Sequence, residues 1–316
     1  MIDMTNTAKL IAVAGPTATG KSALAVDLAL ALDGEVISCD SMQIYRTMDI
    51  GTGKVTKEEA RGVVHRMIDV ADPNEEYSLA DFISAARRAI EKTLTCGKLP
   101  IVCGGTGLYL DRLLDGTAFS EAGGDGEVRA QLEKRTSEDL YAELCRVDPE
   151  SAAATHRNNR KRVIRALEIY RATGRTKSDW DRASHPEEAP YRALRILLLP
   201  EDRAKLYAAI EKRVDGMFEK GLEKEARALA ARSCAATAAQ AIGYKEFLPY
   251  FEGQCSLEDV KNQIKQSSRR YAKRQLTWFR ANAGRENAVV IDPFAKDPAA
   301  RALEAAKAFL RASAEE

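Results

Sequence analysis

Histidine is scarce, with three in 316 residues, and the six cysteines (Cys39, Cys96, Cys103, Cys145, Cys234, Cys255) include no C-x-x-C pair and have no histidine nearby. That scatter excludes a zinc-type ligand set and a disulfide scaffold, and a reducing cytosol fits it best. His156 and His185 have no supporting spacing and are read as structural. No apolar run approaches the ~20 residues that a membrane helix needs. The opening "MIDMTNTAK" lacks the charged-then-apolar layout of a secretory signal, so a cytoplasmic protein without membrane contact is expected. A guanine-reading N-K-x-D is absent. The apolar run "LPIVCGGT" ends in glycines and a threonine, without the acid that a nucleotide hydrolase uses there to hold Mg²⁺.

Against these absences stands an uneven charge. The formal net charge is only +1, yet Thr155–Lys177 carries eight Lys/Arg against one acid, Glu168. Lys261–Arg285 carries eight and no acid. Two cationic tracts inside a near-neutral chain suit a polyanion larger than a metabolite. On the second tract Lys261, Lys265, Arg269 and Lys273 recur every fourth position, so a single cationic helix face is expected.

Three early runs rich in Val and Ile, at 9–15, 34–41 and 99–106, read as buried parallel strands separated by helices at 22–32 and 79–96. A further strand at 192–200 resumes the pattern. Between them, "EVRAQLEKR", "SEDLYAELCRV" and "RKRVIRALEIYRATG" show only helical spacing, with Gly174 as a stop. The expected architecture is therefore an α/β, P-loop nucleotide-kinase-like core with a parallel sheet, plus an inserted all-helical domain. Residues 1–118 and 189–316 would form the core with a C-terminal helical part. Residues 119–188 would form the insertion, bounded by "EAGGDG" and "SHPEEAP".

"GPTATGKS" matches G-x-x-x-x-G-K-[ST] at Gly15, Pro16, Thr17, Ala18, Thr19, Gly20, Lys21 and Ser22, after an apolar strand and before an amphipathic helix. Backbone amides would turn inward on phosphate oxygens, Lys21 would neutralise them, and Ser22 would ligate Mg²⁺. Asp40 follows the second strand, and "GGTGLY" follows the third. Ligands of open α/β sheets gather at such strand ends. Asp40 reads as an acid or base, or else as a helix cap or Mg²⁺ ligand, with Asp69 a weaker rival.

These motifs, together with "DSMQIYRTMDIGTGK", "RVIRALEIY", "QAIGYKE" and "KRQLTWFR", resemble the tRNA dimethylallyltransferase (tRNA isopentenyltransferase) family across nearly the whole chain. The resemblance implies that the cradle holds dimethylallyl diphosphate, whose prenyl group passes to N6 of adenosine 37 in tRNAs reading UNN codons, with Mg²⁺ assisting and diphosphate released. It implies tRNA, through its anticodon stem-loop, as partner, and a monomer is expected. Asp40 would be the base, Lys21 would stabilise the diphosphate, and Thr106 would contact substrate, its bland alternative being a helix cap. The tRNA-contacting positions would be Asp40, Ser41, Met42, Gln43, Thr106 and Arg129; Lys161, Arg162, Val163, Ile164 and Arg165; Gln240, Ala241, Ile242, Gly243, Tyr244 and Lys245; and Lys273, Arg274, Gln275, Leu276, Thr277, Trp278, Phe279 and Arg280. Two departures stand out. The family's "HPND" is here "HRNN" (156–159), which puts the entry to the Arg-rich helix in question, and Gln240 lacks the cation that some relatives carry. A P-loop kinase using ATP, an adenylate isopentenyltransferase and a non-catalytic RNA-binding module are the competing readings. The kinase leaves both cationic tracts unexplained.

Overall fold

The computed structural model describes residues 7–116, 126–184, 189–232 and 234–312. The chain folds as two compact units, one of residues 1–114 with 191–316 and the other of residues 115–190. Most of "EAGGDG" and "SHPEEAP", including His185, lies outside the described residues.

The larger unit is built on a parallel sheet of β1 (Lys9–Ala14), β2 (Gly34–Ser38), β3 (His65–Arg66), β4 (Leu99–Gly104), β5 (Arg192–Leu198) and β6 (Ala288–Ile291), in the order β3-β2-β4-β1-β5-β6. The α/β class with a parallel sheet is thus as expected. The central strands are covered on both faces, which is why they read as unbroken apolar runs rather than alternating ones. Ile11, Val13, Val36, Ile101 and Ile196 pack on one face against the helix Lys21–Leu32 and the helix Pro298–Arg311. No helix among the described residues is long and apolar enough to cross a membrane.

Several elements went unread in the sequence, two strands and the last helix among them. β3 has two residues and β6 four, with Val290 exposed. Neither run is long enough to announce itself, and both exist because a neighbouring strand offers them a ladder. The helix 298–311 does carry a signal, with Pro298 in its first turn and Ala302, Ala306 and Phe309 buried at helical spacing.

The helix Leu257–Ala281 begins in a capping box, Ser256 with Asp259. Its cationic ladder is not an open face, which corrects the sequence reading. Lys261 and Lys265 each lie 2.8 Å from Asp215, and Arg269 lies 2.7 Å from Glu211, on the facing helix Arg203–Glu219. An acidic pair spaced i, i+4 neutralises three rungs between the two helices, and only Lys273 continues outward.

The smaller unit is helical throughout its described residues: Gly126–Glu133, Ser137–Val147, Pro149–Ala154, Arg160–Thr173 and Lys177–Ala183. Leu132, Leu140, Leu144, Val163, Ile164 and Leu167 form its core. Asn159 answers the question raised by "HRNN". It is the N-cap of helix 160–173, accepting the Arg162 N–H at 3.4 Å, and asparagine caps about as well as aspartate. Gly174, at φ 71°, ends that helix as read. Asp148 is buried and capped into place by Ser151 N–H (3.0 Å), Ser178 N–H (3.1 Å) and the Ser178 hydroxyl (2.7 Å). Those bonds outweigh burial and hold its carboxyl below the usual range.

The strand β6 gives a contrast to measure. Ile291 is fully buried whereas Val290 is 42% exposed. Ile291→Ala should cost about 2–5 kcal/mol, and Val290→Ala within about 0.5 kcal/mol, both read from urea unfolding.

Candidate active site

The carboxyl ends of β1, β2 and β4 open onto one cavity of about 320 Å³, entirely within the larger unit. Its wall takes Thr17, Lys21 and Ser22 from the cradle, Asp40 to Gln43 after β2, Gly51 to Gly53, and Gly104 and Gly105 after β4. Helices 203–219 and 257–281 close it with Arg213, Tyr271, Arg274 and Gln275, and with apolar Ile210, Val214, Met217 and Ile264.

The cradle folds as its motif requires. Gly15 sits at φ 150° where a Cβ would stand 2.5 Å from the Leu198 carbonyl, so β1 can leave the sheet there only through glycine. The Thr19 hydroxyl donates to the Pro16 carbonyl at 2.8 Å, and Lys21 Nζ donates to the same oxygen at 2.6 Å. Burial pulls the Lys21 ammonium down to about 8, with the Arg213 charge adding to that effect and Cys103 and Asp40 opposing it. Ser22 is exposed at the cavity wall.

Gln275 ties the cradle down. Its Oε1 accepts the Thr17 N–H at 2.9 Å and its Nε2 donates to the Gly105 carbonyl at 2.8 Å. The sequence reading made it a tRNA contact. In the structure the side chain lines the cavity, is buried, and has both ends of its amide bound to backbone.

Asp40 Oδ1 accepts the Met42 N–H at 2.9 Å, a turn that fixes the carboxylate's direction. The Thr106 hydroxyl accepts the Ser41 N–H at 3.3 Å and lies 3.5 Å from the Ser41 Oγ. Its carbonyl accepts the Leu110 N–H at 3.1 Å, so Thr106 starts the helix Gly107–Leu114 and its hydroxyl ties the Asp40 segment to that start. Burial pushes the Tyr271 phenol up to about 12, with Asp40 adding and contacts to Thr106 and Gln275 opposing. The buried thiols rise as well, Cys103 to about 11 and Cys39 upward, so neither is a thiolate nucleophile at neutral pH. Asp69, the weaker candidate, is not among the residues that line the cavity and pairs with Lys54 at 2.6 Å.

Several other positions read as contacts prove internal. Val163 and Ile164 are core side chains of the smaller unit, and Leu276 and Phe279 are core side chains of the larger. Tyr244 is buried with its hydroxyl donating to Glu225 at 2.6 Å. Their stretches are amphipathic helices and turns, so one face of each must point inward. The outward set is Lys161, Arg162, Lys273, Arg274, Thr277, Trp278 and Arg280. Trp278 donates from Nε1 to Asp111 at 2.7 Å. Gln240, Ala241, Ile242, Gly243 and Lys245 line the cavity. Arg129 and Arg165 flank the buried Glu168, at 3.7 and 3.1 Å.

Arg213 was missed. It stands on the apolar stripe of helix 203–219, between Ile210 and Val214, and an arginine at such a position was the available signal. Its Nη2 donates to the Thr52 carbonyl at 3.2 Å, and burial lowers its pKa while Asp40 opposes that.

A phosphate cradle opening onto a cationic, half-apolar cavity of a parallel sheet defines a P-loop group-transfer enzyme. Comparison narrows the class. The model of the IPP transferase family matches residues 43–282, and that of isopentenyl transferase matches residues 8–72. A tRNA dimethylallyltransferase of Bacillus cereus is 48% identical over 279 residues, 86% of this chain and 87% of that protein. The solved tRNA isopentenylpyrophosphate transferase of Bacillus halodurans is 41% identical at a TM-score of 0.72, covering 97% of this chain and 98% of its own. A eukaryotic dimethylallyltransferase solved acting on tRNA is 30% identical at a TM-score of 0.83, covering 96% and 79%. The chain belongs to the IPP transferase family.

Gln275→Ala leaves the Thr17 N–H and the Gly105 carbonyl unpaired in a buried setting, and should destabilise the chain by about 1–3 kcal/mol in urea unfolding.

Proposed function

We propose that this chain is a tRNA dimethylallyltransferase, moving the dimethylallyl group of dimethylallyl diphosphate to N6 of adenosine 37 beside the anticodon in tRNAs reading UNN codons. One observation carries the reading. A single cavity joins a phosphate cradle and the cations Lys21, Arg213, Arg274 and Lys245 to an apolar wall and the carboxylate of Asp40. An anion with a short apolar tail fits the first two features, and an acceptor that must lose a proton fits the last.

In the step, the bond from C1 of the prenyl group to the diphosphate oxygen breaks with its electron pair staying on oxygen, and the N6 lone pair forms the new bond to C1. The N6 proton passes to Asp40. That amine is a poor nucleophile because its lone pair is delocalised into the ring, and a positioned base contributes typically ~10²–10⁴-fold. Lys21 and Arg213 take up charge that collects on the leaving diphosphate, worth more inside a water-poor cavity than in solution. The donor set at the cradle is hard oxygen, with the Ser22 hydroxyl at the cavity wall, which fits Mg²⁺ held chiefly through diphosphate oxygens. Such an ion supplies Lewis-acid stabilisation of the leaving group.

Lys161, Arg162 and Arg165 of the helical segment (119–188 as read from sequence) are assigned to tRNA phosphates, with Arg129 alongside. Lys273 and Arg280 do the same on helix 257–281. Such contacts position the stem-loop and carry little sequence information. Unstacking the target base costs a few kcal/mol, offset by contacts to its neighbours.

Two experiments test this. With labelled dimethylallyl diphosphate and an unmodified anticodon stem-loop, the chain should add one C5H8 unit to the nucleoside beside the anticodon. AMP as acceptor and ATP as donor should both fail, and ATP turnover with no prenyl transfer would refute the proposal. Asp40→Ala should keep stem-loop binding and reduce transfer by at least ~10²-fold. The second experiment uses Lys21. It is protonated below about 8 and neutral above, and an anion needs the protonated form. Pyrophosphate affinity measured by calorimetry should therefore fall as pH rises through about 8, and Lys21→Met should flatten that dependence.

A further inference from the structure

One wall of the cavity, Gly51 to Gly53, belongs to a turn segment that has neither helix nor strand to hold it. A carboxylate from elsewhere does so. Glu225, on the helix Leu222–Ala230, accepts the N–H groups of Asp49 (3.1 Å), Ile50 (2.9 and 3.0 Å) and Gly51 (3.0 Å). It also accepts the Tyr244 hydroxyl at 2.6 Å. Three successive amides converging on one anion is the arrangement by which backbone binds phosphate. Here the anion is the protein's own. The Tyr244 ring packs so closely that a Cβ on Gly51 would stand 2.6 Å from it, so the turn accepts only glycine there.

The consequence runs into the cavity. The carbonyls just after the braced amides belong to Thr52 and Gly53. Thr52 accepts from Arg213 at 3.2 Å, and the Gln43 amide donates to Gly53 at 3.3 Å and to Thr52 at 3.5 Å. Gln43 in turn accepts the Ser38 hydroxyl at 2.9 Å. Two cavity side chains on separate elements thus take their positions from carbonyls of the turn that Glu225 caps. The bonds from Gly53 N–H to the Ile50 carbonyl and from Lys54 N–H to the Asp49 carbonyl, both 3.0 Å, join those carbonyls to the capped residues.

We propose that Glu225 is a positioning residue of this enzyme. Without touching a reactant, it fixes the 49–53 turn so that Arg213 and Gln43 are held in place before substrate arrives. The proposal rests on the reading above for what the cavity binds, but not for the brace itself. Pre-placed groups of this kind lower the reorganisation needed at the moment of reaction.

The test uses the full chain. Glu225→Gln keeps the shape but turns one accepting oxygen into a donor, which opposes the amides. Amide hydrogen exchange, read by mass spectrometry, should accelerate at least about tenfold over 49–51 while β1 and β4 stay unchanged. Inorganic pyrophosphate should bind about tenfold more weakly, and kcat at saturating substrates should fall about tenfold or more. Glu225→Asp, which keeps the charge but withdraws it by one methylene, should give intermediate exchange and affinity, and covers the case in which the glutamine variant fails to fold. Unchanged exchange in either folded variant overturns the proposal. So does accelerated exchange with pyrophosphate affinity and kcat both at wild-type values, because Glu225 would then be only structural. The exchange and pyrophosphate arms judge the brace separately from prenyl transfer by the unmodified chain, which judges the reaction.

Discussion

Parallel pairing of β4 with both β1 and β2 is the constraint on which the site depends. Ala14 sits opposite Gly104, and Ser38 opposite Cys103, so three strands stop at the same level and release their loops at one edge. The ladder runs one residue further where Cys39 N–H meets the Cys103 carbonyl at 2.7 Å. That approach leaves no room for a side chain, since a Cβ on Gly104 would lie 1.9 Å from the Cys39 carbonyl oxygen. The cradle and Asp40 are neighbours because this pairing is tight, although the helix Lys21–Leu32 and the whole of β2 separate them along the chain.

Charge is distributed with the same economy. Where cations only hold the fold together they are matched: Lys54 to Asp49 and Asp69, Lys261 and Lys265 to Asp215, Arg269 to Glu211. Among the described residues neither Lys21 nor Arg213 has a carboxylate at ion-pair distance. Both are pushed toward neutrality by burial, with Asp40 as the charge that steadies them. A cavity whose cations are unmatched and partly desolvated has a standing preference for a polyanionic ligand.

How much of this was legible depended on the range of the interaction. The cradle reads directly, because its glycines, Lys21 and Ser22 act within eight residues and one helix N-terminus. Gly174 reads for the same reason, whereas the cap at Asn159 emerged only in the fold, the sequence having left the entry to that helix in question. The cationic ladder misled, because periodicity finds a face and not what the face meets. Glu211 and Asp215 lie on another helix, some fifty residues away, and their partnership with the ladder appears only when the two helices pack. A motif stretch likewise does not show which of its side chains turn inward: Val163, Ile164, Leu276 and Phe279 lie on the core side of their helices.

From sequence alone came the α/β class, the phosphate cradle, the family resemblance and the candidate base. Each rests on short spacings or on runs of one chemical character, which survive without knowledge of what packs against them. Folding decided the rest: that Arg213 from a distant helix completes the cavity, that Gln275 anchors the cradle, and that Glu225 braces the turn opposite. These are single polar contacts between residues far apart in the chain. Their energies depend on burial and on partners brought within about 3 Å, the range at which hydrogen bonds act, so they exist only once the chain has folded.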